Sequence, residues 1–155
     1  MYVDANLIVS GSISGNTITG QTITGTDTSV LSTNAIDLGT ARDLGSGEDL
    51  MMRTSVVTAF SGGTSAEFQA IIADNAALSS NVTVIGSTGA IAIASLTAGA
   101  RFAVDLSPRI GSLGKRYVGL RAVLVGAVTA GAILADYGID LEDGGKFYPV
   151  GFTIS

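Results

Sequence analysis

Acidic side chains are the groups in this sequence whose spacing could support chemistry. They form two clusters, the first of Asp37, Asp43, Glu48 and Asp49 and the second of Asp136, Asp140, Glu142 and Asp143. Paired carboxylates hydrolyse glycosides when they lie about 5 to 9 Å apart, and they bind calcium when backbone oxygens complete the ligand shell. Because acidic residues in turns are usually solvated, we expect no catalytic pair, and the spacing leaves a calcium site open.

The other groups that catalysis commonly needs are missing. The chain has no His, Cys or Trp, so it lacks an imidazole base, a thiolate nucleophile and the usual nitrogen and sulfur metal ligands. Nothing around the two lysines, Lys115 and Lys146, marks either as a desolvated base. Gly114-Lys115 is followed by Arg116 where a phosphate-binding loop needs Ser or Thr. We therefore expect no enzymatic activity, no cofactor and no metal centre with imidazole or thiolate ligands, and we assign no residue to a metal site.

Charge and hydropathy narrow the choice of partners. The formal net charge is −5, and only 14% of the residues are charged. Nucleic acids are bound mainly through Lys and Arg, so we expect no nucleic-acid partner. The longest apolar run, residues 123–135, is too short to cross a membrane as a helix, and the N-terminus lacks the basic and apolar regions of a secretory signal. We expect synthesis in a host cytoplasm and no membrane partner.

The sequence of residues 1–34 predicts an extended N-terminal β arm. From Leu7 to Thr24, isoleucines flanked by Thr or Ser recur every five residues between glycines. Each buried isoleucine contributes roughly 1.5 to 3 kcal/mol, whereas ordering the backbone costs about 1 to 2 kcal/mol per residue. We therefore expect this arm to be ordered only against a partner surface. Five is an odd number, so either the glycines bend the arm or both of its faces are covered.

Residues 35–140 show the alternation of apolar and polar residues that is typical of a globular β domain. Apolar residues alternate with polar ones over residues 50–60, 67–72 and 101–106, and residues 117–125 and 132–139 are rich in β-branched side chains. Clusters of Gly, Ser and Asn separate these segments, and helical signals are confined to a single turn at residues 75–78. The pattern predicts an all-β protein, an antiparallel β-sandwich or jelly roll.

Residues 141–155 form a C-terminal tail, which we interpret either as an edge strand of the same domain or as a docking segment. Its apolar residues, together with those of the arm, are the candidate contacts to other subunits or to a partner. The candidate residues are Leu7, Val9, Ile13, Ile18, Ile23, Phe147, Tyr148 and Phe152.

Several short motifs in residues 35–139 occur in a recognisable order. They include residues 35–48 (AIDLGTARDLGSGE), residues 98–102 (AGARF) and residues 115–120 (KRYVGL). In order and spacing they resemble the cement proteins of tailed phages, of the type first recognised on a Bordetella podovirus. The resemblance implies a jelly roll that oligomerises on the outer face of the capsid and bridges major capsid protein subunits. It covers neither the arm before Thr26 nor the tail after Asp143.

The sequence thus predicts a cement protein, or decoration protein, on the outer surface of the virion. Its expected partners are the major capsid protein and further copies of itself, as a homodimer or homotrimer. The alternative is a carbohydrate- or receptor-binding module of a tail fibre, because fibre stems are also built from Gly, Ser, Thr and Ile repeats.

Overall fold

A computed structural model describes residues 4–44 and 50–139. In these two ranges the backbone forms fourteen strands and three short 3-10 turns, and it contains no α-helix. The 3-10 turns are Ala5–Leu7, Ile93–Ser95 and Gly111–Leu113. The strands are β1 Ile8–Ser10, β2 Ser12–Ser14, β3 Thr17–Thr19, β4 Gln21–Thr22, β5 Gly25–Thr26, β6 Ser29–Leu31, β7 Ile36–Asp37, β8 Leu50–Gly62, β9 Ser65–Ala73, β10 Thr83–Ser87, β11 Ile91–Ala92, β12 Arg101–Asp105, β13 Tyr117–Val125 and β14 Ala127–Ile139.

Two antiparallel six-stranded sheets form a sandwich. In sheet I, β1, β4 and β5 pair in turn with β14, which is followed across the sheet by β8 and β12. In sheet II, β6 and β7 pair with β13, which is followed by β9, and β10 and β11 pair with β9. Strands β8 and β9, like β13 and β14, are consecutive in sequence yet lie in opposite sheets. This crossing from sheet to sheet is the jelly-roll arrangement, so the predicted all-β fold class is confirmed.

The core lies between the sheets and follows the predicted alternation. Met52, Val56 and Phe60 of β8 are buried, as are Phe68 and its alternate neighbours on β9. The rings of Phe60 and Phe68 meet edge to face, with 6.2 Å between their centroids. Alternation is what a sheet with one buried face requires, because successive side chains point to opposite faces.

Two polar residues stand out inside this core. The Tyr137 hydroxyl on β14 donates a 2.8 Å hydrogen bond to the Gly119 carbonyl on β13, so it links the two sheets through the interior. Burial raises the pKa of Tyr137 far above its usual value. Thr54 on β8 is 1% exposed, and its hydroxyl has no hydrogen-bond partner in the described part of the chain. The Tyr137 hydroxyl is therefore hydrogen-bonded, whereas the unpartnered Thr54 hydroxyl lowers the stability of the fold.

The turns that join β8 to β9 and β13 to β14 interlock at one end of the sandwich. Thr64 N–H donates to the Val125 carbonyl at 2.7 Å, and Gly126 N–H donates to the Asp27 carboxylate at 2.7 Å. A Cβ added to Gly126 would lie 2.9 Å from the Gly63 Cα, so the two turns touch backbone to backbone. We call this contact the glycine corner. It joins the ends of both sheets.

Both open sides of the sandwich are closed by short-range contacts. On the side of β1, the Gln21 side chain accepts from Ser10 Oγ at 2.6 Å and Thr33 N–H at 3.0 Å, and it donates to the Leu31 carbonyl at 2.7 Å. On the opposite side, β10 approaches β12 so closely that a Cβ on Gly86 would lie 3.2 Å from the Asp105 carbonyl oxygen. The two sheets therefore approach a closed barrel.

The N-terminal arm differs from what its sequence led us to expect. Within the predicted arm of residues 1–34, β1, β4 and β5 belong to sheet I and β6 belongs to sheet II. Their partner surface is the chain's own β14 and β13, which supply main-chain hydrogen bonds that the estimate from isoleucine burial left out. The arm is thus part of the sandwich, except for β2 and β3. The predicted tail, residues 141–155, lies outside the described residues.

Candidate interaction site

A two-stranded hairpin formed by β2 and β3 projects from the sandwich, and we call it the arm hairpin (Ser12–Thr19). Its strands pair Ser12 with Thr19, Ile13 with Ile18 and Ser14 with Thr17. The two-residue loop Gly15-Asn16 has Gly15 at φ +57°, the conformation that glycine accepts at the first position of a type II′ turn. The glycines therefore bend the isoleucine repeat, which was one of the two arrangements predicted.

The arm hairpin is fixed at its base by the sandwich and is exposed at its tip. Gly20 follows it and lies against sheet I, where an added Cβ would come within 2.9 Å of the Ala132 Cβ and 3.0 Å of the Val57 Cβ. Gln21 comes next and makes the three side-chain hydrogen bonds that close this side of the sandwich. The base is therefore held by close packing and hydrogen bonds, and the hairpin stands out as a defined projection.

One face of the arm hairpin is apolar and the other carries hydroxyls. Ile13 and Ile18 are directly opposed, so their side chains lie on the same face. Ile18 is 52% exposed, the largest exposed fraction among the large apolar side chains of the described residues, and Ile13 is half-buried. The Ser and Thr residues on either side of this pair point to the opposite face. The hairpin thus presents a small amphipathic surface.

The predicted contact residues of the arm separate into two groups. Val9 and Ile23 are fully buried in the protein's own core, whereas Ile13 and Ile18 lie on the arm hairpin. Leu7 is half-buried in the 3-10 turn that precedes β1. Phe147, Tyr148 and Phe152 lie outside the described residues. The structure therefore brings two of the eight predicted residues, Ile13 and Ile18, together on one exposed surface.

The described members of the acidic clusters are engaged in structural contacts. Asp37 makes a two-pronged ion pair with Arg116, one arm of which is Arg116 Nη2 to Asp37 Oδ2 at 2.6 Å. Hydrogen bonds from Arg116 and then from Gly39 N–H lower the pKa of Asp37 to about 2. Asp43 accepts a 2.8 Å hydrogen bond from Gly111 N–H. No group of three or more acidic residues that could hold a metal ion occurs in residues 4–44 and 50–139.

The buried Asp136 of the second cluster forms an ion pair with Arg53 on the neighbouring strand β8. Burial raises the pKa of Asp136 above its usual range, and the adjacent guanidinium opposes that shift. The pair lies in sheet I and stabilises the register between β8 and β14. The remaining members of both clusters, Glu48, Asp49, Asp140, Glu142 and Asp143, lie outside the described residues.

Lys115 is buried, and its position explains its role in the fold. Its ammonium group donates to the Asn81 carbonyl and lies 4.0 Å from Asp74 Oδ1, so it holds both ends of the loop at residues 74–81. That loop contains the predicted turn at residues 75–78 and places Leu78 over the outer face of sheet II. In the described ranges, no helix has the length and apolar character needed to cross a membrane.

Comparison with known families now adds to this geometry. The Bbp16 family model matches residues 17–136. The chain belongs to the Bbp16 family. The matched range runs from β3 through most of β14, so it takes in both sheets and begins inside the arm hairpin. No curated protein matches this chain.

The Bbp16 name is that of a Bordetella phage protein, which supports a phage origin for this member of the family. The family match extends about eighteen residues beyond the N-terminal limit of the resemblance found in the sequence, since it begins at Thr17 and the resemblance at Ala35. The strands β4, β5 and β6 therefore lie within the Bbp16 match, whereas β1 and β2 precede it.

Sequence reasoning missed the residues that position the arm hairpin. Gln21 was not among the candidates, although it links β4 to β1 and to the end of β6. A single glutamine in a Thr-rich repeat carries no recognisable signal. The glycine spacing did carry one, because Gly15 and Gly20 mark the turn and the close approach that separate the hairpin from the sandwich.

Proposed function

We propose that this Bbp16 family member is a cement protein that binds the outer surface of a phage head and stabilises it as a homo-oligomer. Membership of a family with a phage protein's name supports a phage structural role. The resemblance of residues 35–48, 98–102 and 115–120 to tailed-phage cement proteins supports a location on the capsid. The observation that carries the proposal is the jelly roll with a projecting, charge-free arm hairpin. In this proposal the hairpin joins the jelly roll to a neighbouring subunit.

The chemistry of the arm hairpin fits contact with another protein. No residue from Ala5 to Thr26 is charged, so a partner can cover this segment without removing an ion from water. Ile18 offers apolar area, and the strands of the arm hairpin offer main-chain hydrogen bonds. Strand addition uses both kinds of contact, with the main chain providing affinity and the side chains specificity.

The expected strength of one such contact explains why an oligomer is needed. A three-residue strand that pairs through its central residue adds two main-chain hydrogen bonds, each with a net contribution of roughly 1 kcal/mol. Burying one isoleucine adds roughly 1.5 to 3 kcal/mol. A gain of about 4 kcal/mol corresponds to a dissociation constant of ~1 mM, before the entropic cost of association. On a shell of repeated subunits, an oligomer gains avidity by engaging several equivalent sites.

In this proposal the partners are the major capsid protein and further copies of the chain, and the protein is made in the host cytoplasm before it joins the virion. The net charge of −5 opposes binding to nucleic acid. The chain has no proposed catalytic role. Symmetry-related contacts, rather than a ligand site, perform the function.

The test is binding of the purified full chain to phage heads that lack it. Heads and chain are mixed, sedimented and analysed for saturable co-sedimentation, and the heat release of DNA is compared with and without the chain. We expect a fixed number of copies per head and DNA release at a higher temperature. Absence of saturable binding to heads would overturn the proposal.

Gold labelling of intact virions distinguishes cementing from the tail-fibre alternative. Antibody to the chain should place gold over the whole head. Gold confined to the tail would instead support a receptor- or carbohydrate-binding module, and an array of glycans would then be the next assay.

A further inference from the structure

The arm hairpin has one strand edge that is free in the described structure. Strand β3 pairs with β2 on one side, and none of the described strands pairs with its other side. All three of its residues, Thr17, Ile18 and Thr19, are exposed. By contrast, Ile13 at the centre of β2 is half-buried. The edge of β3 is therefore the accessible one.

Hairpin geometry shows which main-chain groups this edge presents. The residues that flank a two-residue loop exchange hydrogen bonds with each other, so Ser14 and Thr17 form a hydrogen-bonded pair. The next pair, Ile13 and Ile18, is then a non-hydrogen-bonded pair. The N–H and C=O groups of Ile18 consequently point away from β2, toward the free edge.

This edge lacks the features by which proteins prevent strand pairing. Natural edges are protected by charges, proline, bulges or covering segments. Strand β12 at the opposite side of the sandwich shows such protection, because its exposed residues include Arg101 and Asp105. Strand β3 has none of these features, and its three β-branched residues favour extended pairing.

Charge indicates which partner this edge accepts most readily. Two copies of a chain with a net charge of −5 repel one another over most of their surface. The segments Ala5–Thr26 and 75–100 are both free of charge, so two copies can approach at either with little local repulsion. Edge strand β10 of the second segment lies against β12, whereas the edge of β3 is open in the described structure. The edge is also self-complementary, since Ile18 is flanked by threonine on both sides. A two-fold axis through Ile18 would place identical residues opposite each other.

The geometry points to a second copy of this chain as the occupant: β3 pairs antiparallel with β3 of the other copy, with Ile18 opposite Ile18 across a two-fold axis. Each Ile18 N–H donates to the Ile18 carbonyl of the other copy. The two arm hairpins then form a four-stranded sheet with its isoleucines on one face. This inference specifies the self-association within the proposed function, and it can be tested without phage heads.

Single-cysteine trapping tests the pairing directly. The chain has no cysteine, so Ile18→Cys can form a disulfide only between two copies. A hydrogen-bonded antiparallel pair has about 5.5 Å between Cα atoms, which a disulfide spans. Val125→Cys is the matched control, because Val125 is 47% exposed and is the last residue of β13, which is not part of the arm hairpin.

We expect the Ile18→Cys chain to oxidise to a dimer roughly tenfold or more faster than the Val125→Cys chain, because pairing raises the effective thiol concentration. In denaturant the two rates should become equal. Equal rates in the folded state would overturn the pairing. Sedimentation of the cysteine-free chain should show a concentration-dependent dimer that Ile18→Lys abolishes. A dimer unaffected by Ile18→Lys would also overturn the pairing.

Head binding separates this inference from the proposed function. If the wild-type chain pairs through Ile18 but does not sediment with heads, the pairing stands and the cement function fails. If Ile18→Cys shows no preferential trapping but the chain sediments with heads, the cement function stands and the pairing fails.

Discussion

Replacing Gln21 with alanine should release the arm from the sandwich. The substitution removes three hydrogen bonds at once, to Ser10 Oγ, Thr33 N–H and the Leu31 carbonyl. Ser10 is fully buried, so its hydroxyl would lose its partner where water does not reach it. At roughly 1 kcal/mol for each bond, we expect the free energy of unfolding to fall by about 2 to 4 kcal/mol.

Two measurements check this expectation. In a domain of this size the loss corresponds to a thermal midpoint lowered by about 5 to 15 °C, which calorimetry would record. Hydrogen exchange should show faster exchange of the amides in β1, β4 and β5 than in β9 and β13. The arm would then open before the rest of the fold.

Gln69→Ala is the matched control. Gln69 is also a half-buried glutamine in a strand, but its hydrogen bonds go to Glu67 and Arg121 on the outer face of sheet II. We expect a loss below about 1 kcal/mol there, because these are side-chain contacts near solvent. If Gln21→Ala and Gln69→Ala had equal effects, or if the arm amides kept their protection, the reasoning about Gln21 would be refuted.

Three further predictions concern two core residues and an exposed ion pair. Tyr137→Phe should lower the free energy of unfolding by about 1 to 2 kcal/mol in denaturant titrations, since a buried inter-sheet hydrogen bond is lost. The raised pKa of Tyr137 means that only the unfolded chain ionises it above about pH 10, so wild type should lose stability there and Tyr137→Phe should lose less. Thr54→Val should raise stability by about 1 kcal/mol because it removes an unpartnered buried hydroxyl, whereas Thr58→Val on the exposed part of the same strand should change it little. The carboxyl of Asp37 should titrate in NMR spectra near its pKa of about 2, with its contribution to stability present above about pH 4 and lost as pH falls through 2, and Arg116→Gln should return the midpoint toward 3.8.

The central strands of the two sheets could be predicted because their hydrophobic alternation is a local feature of the sequence. Residues 117–125 were predicted as a strand, and β13 has these bounds. The alternation over residues 50–60 and 67–72 also identified the buried faces of β8 and β9. These strands lie in the middle of a sheet with one face on the core, which is the environment that produces period-two hydrophobicity.

The arm was harder to predict because its structure depends on distant residues. Ile13, Ile18 and Ile23 have the same local sequence, yet Ile23 is fully buried and Ile18 is half exposed. What separates them is pairing with β14, more than a hundred residues later in the chain. A repeat that is uniform in sequence contains no information about which of its copies meets that strand. The same limit applies to Thr58, which has the same parity in β8 as the buried Val56 and Phe60 but is exposed where the register shifts against β14.

The glycine corner has a practical consequence for modifying this protein. Because the turns at Gly63 and Gly126 touch, an inserted residue at either turn would push the two turns apart and displace the ends of both sheets together. By contrast, a Cβ at Gly89 or Gly99 would meet nothing within 4 Å. Peptide epitopes or affinity tags are therefore best carried at Gly89 or Gly99, where they would leave the strands in place and make each copy countable by microscopy on an assembled particle.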